Sequence, residues 1–288
     1  MNEIFNKISY LNGEFLPHQK CLVHIEDRGF QFADGAYEVT LFENGFLIDG
    51  EAHIERMMRS LNELKIEHNF SKNFLLQMQH DLFKHNQMQS GFCYLQITRG
   101  TANRQPNCPK GLSPTISATV SEKKTISKEE FDRGFCVMTT KDIRWQRCDI
   151  KTVGLLASTL TNQNAKDLGF DDAIFVRDSV VTEATYANVF IVDENDQLIT
   201  HPASNHILCG ITRNRLIAIA KANKISVIEK EFSVKELYEA KEIFLTSSTL
   251  LIRPINKVDD KIIAKKSSLN FPISRLLLNK YREFIVRN

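Results

Sequence analysis

Over the first 50 residues, apolar and polar positions alternate in short runs that predict strands. Ile8-Ser9-Tyr10-Leu11 runs into Asn12-Gly13, a two-residue hairpin signal, and Glu14-Phe15-Leu16 leads back. Residues 37–41 and 46–48 flank Glu43-Asn44-Gly45 as a second hairpin, and the glycine-containing stretch 27–36 before it reads as a tight loop. Then the period lengthens. Ile54, Met57, Met58, Leu61 and Leu64 fall at helical spacing, and residues 74–83 repeat the pattern. Strands at 92–98 and 115–120 enclose a polar loop that starts with Arg99 to Pro106.

Residues 121–130 are rich in Lys, Glu and Ser and have little to bury, so they read as a connection. Beyond them the pattern predicts strands at 135–138, 173–176, 189–192, 197–200, 224–229 and 242–245. Helices are expected at 152–168, at 210–222, at 234–240 behind a Ser233 cap, and in the amphipathic tail after Lys265. Mixed strands and helices on both sides of the connection predict an α+β fold in two domains. The expected boundaries are a small N-terminal domain over 1–122, a linker over 123–130 and a larger C-terminal domain over 131–288.

A chain of 288 residues with 42% hydrophobic and 25% charged residues has the composition of a soluble globular protein. Net charge is only +2, which gives no reason to expect nucleic acid or an anionic membrane as partner. No apolar run reaches membrane-spanning length and no signal pattern opens the chain, so a cytoplasmic location is expected. The six cysteines (Cys21, Cys93, Cys108, Cys136, Cys148 and Cys209) form no C-x-x-C pair, and no metal site is expected.

Chemistry concentrates after the connection. The stretch Asp142-Ile143-Arg144-Trp145-Gln146-Arg147-Cys148-Asp149-Ile150-Lys151 is too costly in charge for a surface connector. Burial would push Lys151 toward the neutral amine that attacks an aldehyde. Glu183 stands among apolar and β-branched residues, where a carboxylate needs a cation or donor, and a protonated pyridine nitrogen would serve. Cys209-Gly210-Ile211-Thr212-Arg213 is a glycine turn into a helix start, suited to a phosphate. Thr246-Ser247-Ser248-Thr249 adds four hydroxyls at a strand end. Each feature alone has a plain structural explanation. Together they are the parts needed to hold pyridoxal 5'-phosphate.

The motifs carry a resemblance. EDRGFQFADGAYEV at 26–39, HIERM at 53–57, DIRWQRCDIK at 142–151, VTEATYANVF at 181–190, THPASNHILCGITR at 200–213 and LTSSTL at 245–250 resemble the fold type IV pyridoxal-phosphate enzymes. Within them the chain looks most like the bacterial D-amino acid aminotransferases, from Tyr10 to about Ile255. The resemblance puts the family's Schiff-base lysine on Lys151, in the larger domain, and its pyridine-nitrogen carboxylate on Glu183. It puts phosphate contacts on Arg56, Ile211, Thr212 and Ser248, and the leucine against the cofactor ring on Leu208. Tyr37 and Arg104 match substrate-binding residues, Arg104 reaching across a homodimer. The cofactor is expected between the two domains. Two departures touch the substrate side. Pro106 stands where the family has a histidine, and Ala184-Thr185-Tyr186-Ala187 replaces a serine run.

The implied activity is transamination between a D-amino acid of the D-alanine or D-glutamate class and a 2-oxo acid such as 2-oxoglutarate or pyruvate. In it Lys151 is the general base and acid. Three other readings share the motifs: aminodeoxychorismate lyase, branched-chain L-amino acid aminotransferase, and a non-catalytic protein that binds the cofactor.

Overall fold

The computed structural model describes residues 7–124, 126–263 and 271–287. It divides into two compact units, Met1–Lys124 with Ile150–Gly154, and Thr125–Asp149 with Leu155–Arg287. Lys151 therefore groups with the first unit, not with the C-terminal stretch in which the sequence put it.

In the first unit six strands form an antiparallel sheet in the order β2-β1-β6-β5-β3-β4. These are β1 (Ile8–Leu11), β2 (Glu14–Pro17), β3 (Gly35–Glu43), β4 (Phe46–Leu47), β5 (Ser90–Thr98) and β6 (Thr115–Ser121). Asn12 and Gly13 both take positive φ, 47° and 106°, as the Asn-Gly hairpin demands. The stretch expected as a loop before Tyr37 instead forms a five-residue helix, α1 (Arg28–Phe32). Asp27 caps it by accepting from Gly29 N at 2.8 Å, and Ala33 ends it in the left-handed region. Helices α2 (Gly50–Glu63) and α3 (Lys72–His85) carry the expected helical spacing. Their apolar faces bury Ile54, Met57, Leu61, Leu75 and Leu82 against Leu95, Ile97 and Val120 of the sheet.

Residues 150–154 lie along β3. Tyr37 N donates to Lys151 O at 3.0 Å, Val153 N donates to Gly35 O at 3.1 Å, and Thr152 pairs with Ala36. This pairing claims backbone groups that a helix over 152–168 would need. The helix α5 accordingly starts only at Leu156 and runs to Asp167.

The second unit opens inside the stretch expected as a linker. Ser127 and Glu130 form a reciprocal capping box that starts α4 (Lys128–Arg133), and Phe131 is buried. The main sheet path is β12-β11-β10-β13-β14-β7-β8-β9. Its strands are β7 (Phe135–Lys141), β8 (Asp172–Arg177), β9 (Val180–Ala184), β10 (Asn188–Val192), β11 (Leu198–Thr200), β12 (Val227–Glu229), β13 (Glu242–Ser247) and β14 (Leu251–Val258). β15 (Lys261–Ile262) pairs with β14. A further pairing of Asn188 with Glu183 joins β10 to β9 and closes six of these strands on themselves. Val137, Ile174, Val181, Val189, Ile243 and Leu245 fill that core.

Helices α6 (Ile211–Ala222) and α7 (Val234–Glu239) stand where expected, the latter capped by Ser233. Of the amphipathic tail after Lys265, residues 266–270 and 288 lie outside the described residues, and Pro272–Arg287 form α8. Strand β14 was not legible because Arg253-Pro254 interrupts its apolar run. Among the described residues no helix is long and apolar enough to cross a membrane.

Candidate active site

Lys151 is half-buried, less enclosed than its strand-forming neighbours suggested. Its backbone is fixed by β3 and by Ser60, whose Oγ accepts from Lys151 N at 3.3 Å. The Nζ atom lies 4.1 Å from the centre of the Tyr37 ring, where an ammonium is attracted to the negative face. Tyr37 in turn stacks on Tyr94 at 5.3 Å. Burial and the neighbouring Tyr37 push the Tyr94 phenol up to about 12, so that ring stays neutral at physiological pH.

One turn of α2 faces the same strand β3. Arg56 Nε donates to Glu38 Oε1 at 2.7 Å and its Nη2 donates to Oε2 at 2.8 Å, a two-pronged pair. His53 Nδ1 meets Glu38 Oε2 at 2.7 Å. Burial alone would raise the Glu38 pKa, but Arg56 and then His53 overcome it and lower it to about 2. Arg56 is thus held in one orientation by a carboxylate that the sequence reading passed over. The available signal was a glutamate as the one charged residue in the run of 35–42.

In the second unit Glu183 sits on β9, 6% exposed. Its carboxylate accepts from Arg144 Nη1, from Asn188 Nδ2 at 3.1 Å and from the backbone N of Leu208 at 3.1 Å. Arg144 is clamped from behind by Asp142, with Nε and Nη2 at 2.9 and 2.8 Å. Arg177 Nη2 reaches the same Asp142 at 3.0 Å. Two carboxylates and two guanidiniums therefore form one buried, charge-matched cluster. Burial works against the Arg144 charge, but the Asp142 hydrogen bonds and the nearby Glu183 push its pKa up. The costly DIRWQRCDIK stretch is explained here, because Asp142 and Arg144 serve Glu183. Burial pushes the Cys148 thiol up to about 11, so it is no thiolate nucleophile at neutral pH.

Asn188 also donates to Leu208 O at 2.8 Å, which ties the loop before α6 to Glu183. Gly210 is the N-cap of α6 and offers no side-chain cap. A Cβ at Gly210 would lie 2.1 Å from Asn188 Oδ1, so any larger residue would have to displace the Asn188 amide. The first-turn N–H groups at Ile211 and Thr212 thus receive no side-chain cap from the N-cap position, and Thr212 is buried. In the hydroxyl run, Thr246 lies opposite Asn188 on β13, and its buried Oγ1 finds no hydrogen-bond partner among the described residues. Ser247 Oγ is 3.2 Å from Thr249 Oγ1 and accepts from Leu250 N, while Ser248 is half-buried in the turn that follows β13. An uncapped helix start and an orphaned hydroxyl are a donor set that fits a phosphate.

On the substrate side, Arg104 is exposed, its guanidinium 4.6 Å from the centre of the Phe32 ring. Arg28 sits over the same ring at 4.6 Å and donates to Gln105 O at 2.9 Å, which anchors the loop that bears Arg104. The chain's departure from the serine run has a local use. The Thr185 hydroxyl donates to Asp172, with Asn162 bridging both, and Tyr186 Oη meets Thr159 Oγ1 at 2.8 Å.

A family model described as amino-transferase class IV matches residues 35–258. The chain belongs to the class IV aminotransferases. Lys151, Glu183 and Thr212 all fall inside that match. A D-alanine aminotransferase from Bacillus licheniformis is 37% identical over 88% of this chain and 88% of its own. One from Listeria innocua is 35% identical over 96% of each chain. Among solved structures, a branched-chain aminotransferase from the archaeon Thermoproteus uzoniensis, with norvaline, superposes with a TM-score of 0.87. The match covers 98% of this chain and 95% of its own, at 22% identity, a likeness of fold alone. The expected α+β, fold type IV architecture is therefore that of this class IV aminotransferase. The aminotransferases of this class depend on pyridoxal phosphate.

Proposed function

We propose that this class IV aminotransferase exchanges the amino group of a D-amino acid, of the D-alanine or D-glutamate class, with a 2-oxo acid such as pyruvate or 2-oxoglutarate. The observation that carries this reading is the likeness to D-alanine aminotransferases over nearly the whole of both chains. Pyridoxal 5'-phosphate, when bound, supplies an electron sink for the bond broken at the substrate's α-carbon.

Each role falls to a named side chain. Lys151 Nζ anchors the cofactor and moves the proton to and from the α-carbon. Glu183, which accepts from Arg144 and the Leu208 N–H, holds the proton on the ring nitrogen. Ile211 and Thr212 at the α6 start, with Ser248 and the Glu38-oriented Arg56, receive the phosphate, and Leu208 packs on the ring. Tyr37 and Arg104 bind the substrate, Arg104 by a two-pronged grip on its carboxylate. Pro106 offers no donor there, so the guanidinium must hold the carboxylate without a histidine.

The active form we propose is a cytoplasmic homodimer. Leu22, Ile25 and Phe30 stand exposed in the first unit, apolar side chains of the kind a second copy covers. The experiment is a panel of D- and L-amino acids mixed with the holoenzyme and followed by cofactor absorbance, with sedimentation to read the assembly. D-alanine or D-glutamate should react fastest. Faster reaction of L-leucine or L-valine would move the chain to the branched-chain reading. Pyruvate release from aminodeoxychorismate without amino transfer would make it a lyase, and silence toward every amino acid would leave a cofactor-binding protein.

A further inference from the structure

Strand β11 ends at Thr200, and the next residue, His201, is 1% exposed. Its Nδ1 lies 2.8 Å from Pro202 O. A carbonyl oxygen only accepts, so Nδ1 carries the hydrogen and Nε2 keeps its lone pair. That Nε2 is buried and finds no hydrogen-bond partner among the described residues. Nε2 points at the Glu231 carboxylate, 3.9 Å away. The His206 ring lies beside it, centre to centre 6.4 Å and inclined by 60°. One ligand atom from each of His201, His206 and Glu231 lies within 4.8 Å of the others.

We propose that His201 Nε2, His206 and Glu231 bind a single divalent transition metal of the zinc class, with water in a fourth position. Two imidazole nitrogens and one carboxylate suit zinc, cobalt, nickel or copper, whereas magnesium and calcium ask for oxygen ligands. The Nδ1–H donated to Pro202 O is the outer contact that fixes a metal-binding histidine's tautomer.

Tetrahedral bonds of about 2.0–2.1 Å would bring the ligand atoms to roughly 3.3 Å apart. The remaining closure falls to His206, half-buried, and to Glu231, whose side chain is 59% exposed. His201 is the fixed anchor. Two cations on adjoining segments are already matched: Arg213 Nη2 pairs with Glu229 at 2.7 Å, and Lys230 pairs with Glu236 at 2.9 Å. Cysteine spacing alone argued against a metal, because two histidines on a loop and a glutamate far along the chain match no short motif.

A bound ion would fasten the 201–206 loop to the segment after β12. Leu208, whose N–H donates to Glu183, and Gly210, which abuts Asn188, follow directly on that loop. The proposal is independent of which substrate the enzyme transaminates, and its test needs no turnover. Holoenzyme without amino acid is titrated with cobalt, read by visible absorbance above the cofactor bands, and with zinc, read by calorimetry. One ion should bind per chain at micromolar concentrations, undisturbed by excess magnesium, and zinc should raise the melting temperature. His206→Ala and Glu231→Gln, both at accessible positions, should each weaken binding by about tenfold or more. Cys108→Ser and Cys209→Ser should leave binding unchanged. Zinc binding that is intact in both ligand variants, lost in a cysteine variant, or absent until millimolar metal would overturn the assignment.

Discussion

The Glu183 carboxylate is gripped on one side by the guanidinium of Arg144 and on the other by the backbone N–H of Leu208. Arg144 is itself pinned by Asp142, so the orientation of Glu183 is inherited from residues 39 and more positions earlier. Arg144→Gln would leave Glu183 and Asp142 short of their cation. Removal of one partner from a buried pair costs about 3–5 kcal/mol. The expected outcome is a lower melting temperature together with weaker cofactor retention, read by calorimetry and by cofactor release on dialysis. Unchanged stability and retention would mean that Arg144 does not support the carboxylate.

Lys151→Ala should abolish transamination and leave the fold in place, because the backbone bonds of 150–154 to β3 do not involve the side chain. Loss of a proton-transfer group costs about 10²–10⁴-fold, and loss of the anchoring amine adds to it. Steady-state rates with circular dichroism as a control decide the point. Turnover within about tenfold of the natural chain is incompatible with the role.

The Glu38 pair makes stability depend on acid. Its carboxyl titrates at about 2 in the folded protein against an ordinary 4.5, so the unfolded chain binds the proton first. The contribution is complete above the ordinary value and is lost as pH falls through the folded one. Its size is about 3 kcal/mol. Urea unfolding at a series of pH values between these limits should show a steep acid loss. In Glu38→Gln the loss should be shallower and the protein weaker at neutral pH. Parallel curves for the two proteins would rule the account out.

Gly210→Ala tests the approach of the α6 start to Asn188. The added methyl has to displace the Asn188 amide, which serves both Glu183 and Leu208 O. Overpacking of this kind costs about 1–3 kcal/mol. Cofactor affinity should fall by about tenfold or more, read by fluorescence titration of the cofactor-free protein. Wild-type affinity would show that the loop yields freely.

Arg104→Ala should damage kcat/KM for D-amino acids and spare cofactor binding, since the side chain is exposed and rests on the Phe32 ring. A hydrogen bond to a charged group is worth about 1.5–3 kcal/mol, so the loss should exceed tenfold. Normal kinetics would pass the carboxylate to another cation.

Much of this molecule can be read from its residues, and the reasons for the exceptions are physical. Helices α2 and α6 announce themselves by apolar spacing and a glycine start, and the Asn12-Gly13 hairpin by its turn residues. Lys151 and Glu183 stand out because an amine and a carboxylate among apolar neighbours demand partners. What those partners are does not follow from spacing, since Arg144 and Leu208 approach Glu183 from elsewhere in the chain. Residues 152–155 read as the start of a helix because competition from Gly35 and Tyr37 for their backbone is invisible locally. The His201 lone pair is equally hidden, because only the folded loop turns it toward Glu231.

The five residues Ile150–Gly154 belong to the first unit, yet the chain on both sides of them builds the second. No contiguous fragment therefore contains the first unit without also containing part of the second. A ribosome that has released residues 1–124 has not yet supplied the segment that covers the edge of β3 from Gly35 to Tyr37. At about 5–20 residues per second, the first unit waits seconds for its last piece. The residue on which catalysis is expected to turn arrives as the closing stitch of a unit that began far upstream.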